Sequence, residues 1–326
     1  MSTNNFKTVG QVLYEVRNEK GLSRAKLLET SALGDICTER TLARIESGET
    51  EEPNPRVLYA LRTALGLSWE DLESRQYGID MRTFNEHVEK IRDTFFYQKY
   101  DRLPALIAEL RAKNYYNEGI PIMKQAVLSL EAIALHRCDK DYTKSIEVVL
   151  EALRLTSPTL IDEAGHVYNE KIEQRTLTAN EYRLLVALNS SRNMIGEHNY
   201  SIDTYYAMAI SLESEVAYYS LQKSLLATVY SNLSHALYNA RRYLETMGVV
   251  DKGILFCKEH REFKLLGTLI CRKGFVLCEQ EAMEKGIKYL TQGCELLAAK
   301  GVEHSAERYA KYVSENYGVT ISYNIT

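Results

Sequence analysis

The sequence predicts an all-α protein, a small head of five short helices followed by a long solenoid of paired helices. Three observations point there. Proline and glycine are scarce, 5 and 17 among 326 residues, and long stretches are rich in Leu, Ala, Glu and Lys, which favour helix. Helix start and stop signals crowd the first 75 residues. Beyond residue 230 the chain matches itself at a fixed offset of 40 residues.

The head reads as follows. A first helix from about Val9 to Lys20 carries Val12, Leu13 and Val16 on one face and stops at Gly21. Ser23 is placed to cap a second helix, RAKLLET, because its hydroxyl can satisfy an orphan amide. Thr38 caps a third, ERTLARIE, which Gly48 ends. Pro55 stands in the first turn of a fourth, where its missing N–H costs nothing. Ser68 to Asp71 open a fifth with a capping box. Two helices before a tight connection are the helix-turn-helix plan.

The segment TLARIESGE, a proline-bearing loop and LRTALGLSWEDL together resemble the DNA-binding domain of the Cro/phage-repressor (XRE) family over about residues 8–75. In that family an Arg late in helix one pairs with a Glu ending the third helix, and the matching residues are Arg17 and Glu46. The resemblance places Thr38, Glu39, Arg40, Thr41 and Arg44 on the face presented to DNA. Arg40 is suited to a bidentate bond with guanine O6 and N7. Arg44, Ser23 and Arg24 are suited to phosphates. One departure stands out. Between Leu27 and Ile36 the chain is several residues longer than the family pattern, so either helix two is extended or the turn is looser.

From residue 76 to 326 the chain reads as degenerate repeats. Ser234, Thr246 and Gly253 fall on Gly274, Gly286 and Gly293 at the 40-residue offset. Small residues at these places are what two tightly crossed helices require. The pattern resembles the tetratricopeptide (TPR) repeat, with about five helical pairs over residues 79–318. Tyr100, Tyr142, Tyr200 and Tyr243 are read as ending each first helix, with Met283 in the last. A loop is expected near Thr156–Asp162, and a capping box at Thr178–Glu181 restarts the helices.

Such a solenoid binds along the face lined by its first helices. Counting back from the corners puts Asn189 and Asn232 at one register, with Glu131 and Arg272 at the equivalent position in flanking repeats. Arg192 and His235 follow, and Tyr238 and Asn239 lie one turn on. An asparagine offers the acceptor and donor that a peptide group needs. Arg192, His235 and Arg272 add selectivity for a carboxylate.

The two parts together resemble the RRNPP family of quorum-sensing transcription regulators, on GDICTERTLARIESG and NARRYLETMGVVDKGI. That resemblance implies a homodimer that binds a double-stranded DNA operator through its head and a short signalling peptide in its repeats. Two rival readings are a TPR adaptor that binds a protein partner, and a mobile-element repressor whose repeats only dimerise.

Composition narrows the rest. The formal net charge is −4, and residues 1–78, with 10 Lys/Arg and 12 Asp/Glu, carry −2. DNA affinity must therefore come from a local basic face and not from bulk charge. Six scattered cysteines without a CxxC pair are expected as reduced thiols. With no signal peptide and no apolar span long enough for a membrane, the expected compartment is the cytoplasm. No metal spacing, P-loop or nucleophile motif occurs, so no cofactor and no enzyme activity are expected.

Overall fold

The computed structural model describes residues 6–30, 33–50, 53–97, 99–113, 120–174, 177–215 and 220–323. Among them seventeen α-helices form the fold, and the only β-type pairing is an isolated antiparallel bridge between Ile161 and Val167. The chain divides into two compact units, Met1–Lys90 with Glu109–Ile120, and Ile91–Ala108 with Pro121–Thr326.

In the first unit, α1 spans Val9–Glu19, α2 Arg24–Thr30, α3 Glu39–Glu46, α4 Pro55–Ala64 and α5 Trp69–Tyr77. Each start is set by a side chain. Thr8 caps α1 in a box with Gln11, and the Ser23 hydroxyl accepts from the Lys26 amide. Thr38 caps α3, Asn54 caps α4 with Pro55 next to it, and Ser68 closes a box with Asp71. Each cap meets an amide with no partner inside its helix. Val12, Leu13, Val16, Leu27, Leu42, Ile45 and Leu61 fill the core between the helices. Within the described residues α2 ends at Thr30. After Thr30 a 3-10 turn, Leu33–Asp35, buries Leu33, and Cys37 follows into the core; residues 31–32 lie outside the described residues.

Helices α6 (Met81–Phe96) and α7 (Leu103–Ala112) contribute to both units. The second unit continues with α8 (Pro121–Ala134), α9 (Tyr142–Thr156), α10 (Asn169–Glu173), α11 (Ala179–Met194), α12 (His198–Glu215), α13 (Ser220–Asn239), α14 (Tyr243–His260), α15 (Leu266–Glu279), α16 (Met283–Ala299) and α17 (Glu303–Tyr317). Helices α8/α9, α11/α12, α13/α14 and α15/α16 pack as antiparallel pairs, and α17 covers α16. The first helices α8, α11, α13 and α15 also touch one another in that order, which makes them one layer.

The corner tyrosines differ from the expectation. Tyr142 and Tyr243 begin the second helix of their pairs, Tyr200 lies in the first turn of α12, and Tyr100 opens a 3-10 turn. The corner itself is made by the residue that enters the left-handed region, Lys140, Gly196, Arg241 or Glu281 (φ 55, 92, 57 and 64°). One such residue unwinds a helix end and turns the chain back.

The crossing predicted from small residues is present. A Cβ on Gly274 would stand 2.7 Å from the Gly286 carbonyl oxygen, and one on Gly293 would stand 2.9 Å from that of Gly267. Ser234 and Thr246 are buried at the matching points of α13 and α14. Between α9 and α11 the extra length becomes a 3-10 turn at Pro158–Leu160, the Ile161–Val167 bridge and α10, before Thr178 and Glu181 form the expected capping box. All six cysteines are free thiols.

Candidate nucleic-acid interface and ligand-binding layer

The head's site is built around one buried carboxylate. Glu46 ends α3 and accepts from Arg17 twice, Nε at 2.6 Å and Nη2 at 3.0 Å. This is the expected pair, with both side chains nearly sealed from solvent. The Glu46 hydrogen bonds hold the Arg17 guanidinium above its ordinary pKa against the opposing effect of burial. Arg17 Nη1 also donates to the Leu22 carbonyl at 2.6 Å, which ties α1 to the start of α2. Arg24 supplies a third bond, Nε to Glu46 at 2.8 Å. A residue expected at a phosphate is thus also part of the clamp that fixes α3.

With Leu42, Ile45 and Glu46 buried, the opposite face of α3 carries Glu39, Arg40, Thr41 and Arg44, all exposed. Arg40 and Arg44 are one turn apart on one stripe. Thr38 Oγ1 accepts the Thr41 amide at 3.2 Å and shares a hydrogen bond with the Thr41 hydroxyl at 2.9 Å, so Thr41 is held at the helix start. Arg44 meets Glu49 at 3.5 Å on the surface. An exposed pair of this kind is worth little and opens readily to a phosphate. Sequence reasoning missed Gly10, where a Cβ would sit 1.8 Å from the Ile45 carbonyl oxygen. Helix α1 therefore lies directly on the end of α3, and no pattern within helix one discloses it.

In the second unit the expected residues fall into three groups. Asn189, on α11, is fully buried; its Nδ2 faces Met208 Sδ of α12 at 3.9 Å and its Oδ1 has no partner. Arg192 is occupied. It pairs with Glu197, donates to the Gly165 carbonyl at 3.1 Å and lies 4.2 Å over the Tyr200 ring. Asn232 is half-buried and donates to the Thr228 carbonyl of its own helix at 2.9 Å.

The remaining four are brought together between α13 and α15. Arg272 Nη2 donates to His235 Nδ1 at 2.8 Å, Asn239 lies 3.4 Å from His235 Nε2, and the Arg272 guanidinium stands 5.1 Å over the Tyr238 ring. Burial, with Arg272 and other cations behind it, holds the His235 pKa far below its usual value, so the ring is neutral and accepts from the arginine. Burial likewise lowers that of Arg272. Unanticipated was Glu279, which accepts hydroxyls from Tyr238 (3.2 Å), Tyr317 (2.7 Å) and Tyr243 (3.4 Å). No local sequence signal joins three tyrosines from three helices to one carboxylate.

His136 falls inside its unit as expected of a packing residue, with Nδ1 2.9 Å from the Ser191 hydroxyl. Among the described residues no cluster of His, Cys, Asp and Glu has the arrangement to hold a metal, and no helix is long and apolar enough to cross a membrane.

No family model matches the sequence, and no curated protein does. Solved structures share the fold. Bacillus thuringiensis PlcR in complex with the peptide PapR7 and DNA is 18% identical, with 93% of this chain and 98% of that one covered at a TM-score of 0.65. The apo form of the same protein is 17% identical, with 94% and 100% covered, at 0.55. ComR from S. thermophilus in complex with DNA and its signalling peptide ComS is 15% identical, with 92% and 97% covered, also at 0.55. The likeness runs through both units of the chain and establishes the all-α architecture.

Proposed function

We propose that the chain is a DNA-binding transcription regulator of the RRNPP kind, whose hold on an operator is set by a short signalling peptide bound in its repeat layer. The observation that carries this is the combination in one chain of an exposed Arg40/Arg44 stripe on a helix clamped by Arg17–Glu46 with a fold shared, end to end, with PlcR in complex with peptide and DNA. The clamp matters because base readout needs a helix held at fixed depth in the major groove.

On this reading Arg40 and Thr41 meet base edges, with Thr38 and Glu39 beside them. Ser23, Arg24 and Arg44 border the phosphates. Asn232, His235, Tyr238, Asn239 and Arg272 face the peptide. The orphaned Asn189 carbonyl supports a place for Asn189 there as well, since a buried acceptor without a partner costs about 1–3 kcal/mol. Arg192 would join only by leaving Glu197. The protein works in the cytoplasm as a homodimer whose two heads read half-sites one or two helical turns apart, and it catalyses nothing. The acidic balance of residues 1–78 favours the adaptor reading instead, in which the repeats bind a protein.

Selection of random DNA duplexes by the purified full-length protein separates the two. A regulator enriches one motif, and Arg40→Ala relaxes a single base position by about 1–3 kcal/mol. Arg44→Ala weakens all sequences alike. Enrichment of no motif at low salt, with and without peptide, supports the adaptor.

A further inference from the structure

Three arginines of the described chain are buried, Arg17, Arg192 and Arg272. Two of them are answered by carboxylates, Arg17 by Glu46 and Arg192 by Glu197. The third is not. Arg272 is 9% exposed, donates to a neutral imidazole, leans on a tyrosine ring and leaves its Nε without a partner. A buried cation without a counter-ion costs several kcal/mol after relaxation. Proteins retain such costs chiefly where they serve function.

The surroundings deepen the imbalance. The carboxylate that α15 does provide, Glu279, is taken up by three tyrosine hydroxyls. Arg272 is thus a buried cation that no acidic side chain among the described residues answers.

We propose that Arg272, with His235 and Tyr238 beside it, is a carboxylate-binding site on the α13–α15 face, so that the ligand of this protein is recognised by an acidic group. The class of ligand rests on the peptide reading above; the anion site rests on the charges alone. A carboxylate arriving here gains charge-assisted bonds from a guanidinium already stripped of water. The bond to His235 and the contact with the Tyr238 ring hold the planar fork in place before binding, which lowers the ordering cost. Two sources share this chemistry, the terminal carboxylate of a peptide and an Asp or Glu side chain.

The test uses the full-length protein and synthetic hexapeptide pools of random sequence. The pools have a free or amidated C-terminus, each with and without Asp and Glu, and retained peptides are counted by mass spectrometry. A second probe, N-acetylglutamate against neutral N-acetylglutaminamide, is read as a shift in unfolding temperature.

The wild type is expected to retain carboxylate-bearing peptides at least about tenfold over amidated, acid-free ones, the ratio that one charged hydrogen bond supplies. Retention of the free-acid pool lacking Asp and Glu identifies the terminus, and that of the amidated acidic pool identifies a side chain. Arg272→Met is expected to lose the preference and to unfold no earlier than wild type without ligand, since the buried charge is gone. Arg272→Lys is expected to keep the preference in weaker form.

Equal retention of all pools overturns the carboxylate site and leaves peptide binding standing. Retention of no peptide, with N-acetylglutamate still raising the unfolding temperature of wild type but not of Arg272→Met, overturns the peptide reading and leaves the site. Early unfolding of Arg272→Met with the preference intact in Arg272→Lys and lost to no other change in charge leaves the site standing; a preference that survives in Arg272→Met overturns it.

Discussion

Glu46, closed to water, holds two arginines, the buried Arg17 and the partly exposed Arg24, and the placement of α3 depends on that arrangement. Glu46→Ala leaves Arg17 buried without a counter-charge and is expected to cost about 3–5 kcal/mol, read from urea unfolding of the full chain. The double variant Arg17→Met/Glu46→Leu removes both charges and is expected to cost less than Glu46→Ala alone. A double variant as unstable as the sum of its two single changes would show that the two side chains act separately. The pair was legible in the sequence because its two members stand at matching places in a known motif. Gly10 was not, since its requirement comes from the Ile45 backbone crossing it and not from neighbours along the chain. Arg24 was read for its charge alone, and the nearby Glu46 gives it a second task.

At the scale of the helix, the repeat is written in small residues. Gly286 meets Cys278 and the Gly274 backbone so closely that a Cβ would lie 2.4 Å from Cys278 Sγ and 2.8 Å from the Gly274 carbonyl oxygen. Gly286→Ala is therefore expected to push α15 and α16 apart at a cost of about 1–3 kcal/mol. Gly248→Ala is the control, because that glycine sits in α14 with nothing within 4 Å of a Cβ. It is expected to gain roughly 0.5–1 kcal/mol from helix propensity. Thermal unfolding of the two variants reads the contrast, and equal effects would mean that the crossing is not tight. The 40-residue offset revealed α13 to α16 in the sequence because close crossing restricts residue size at fixed intervals. The π-helical turn Leu135–Asp139 and the short α10 left no such mark. Neither recurs at a fixed interval, so periodicity along one helix does not encode them.

For the whole molecule, the reading joins two sites in different compact units of one chain. The seven residues of the first-helix register lie on α11, α13 and α15; four of them meet between α13 and α15, while Asn189 faces Met208 of α12 and Arg192 is held by Glu197 and the Gly165 carbonyl. Counting along helices gives a side chain's register but not the partners that capture it, such as Glu197 or the Gly165 carbonyl. A ligand on that layer alters DNA affinity only if it binds one state of the protein better than another. The most direct measurement is therefore the affinity of the full-length protein for its selected duplex, titrated with a retained peptide, in wild type and in Asn232→Ala/Arg272→Met. The account predicts that the peptide shifts the DNA dissociation constant of the wild type by about fivefold or more, a typical coupling, and leaves that of the variant unchanged. An unchanged constant in the wild type, at peptide concentrations that saturate it, would contradict the claim.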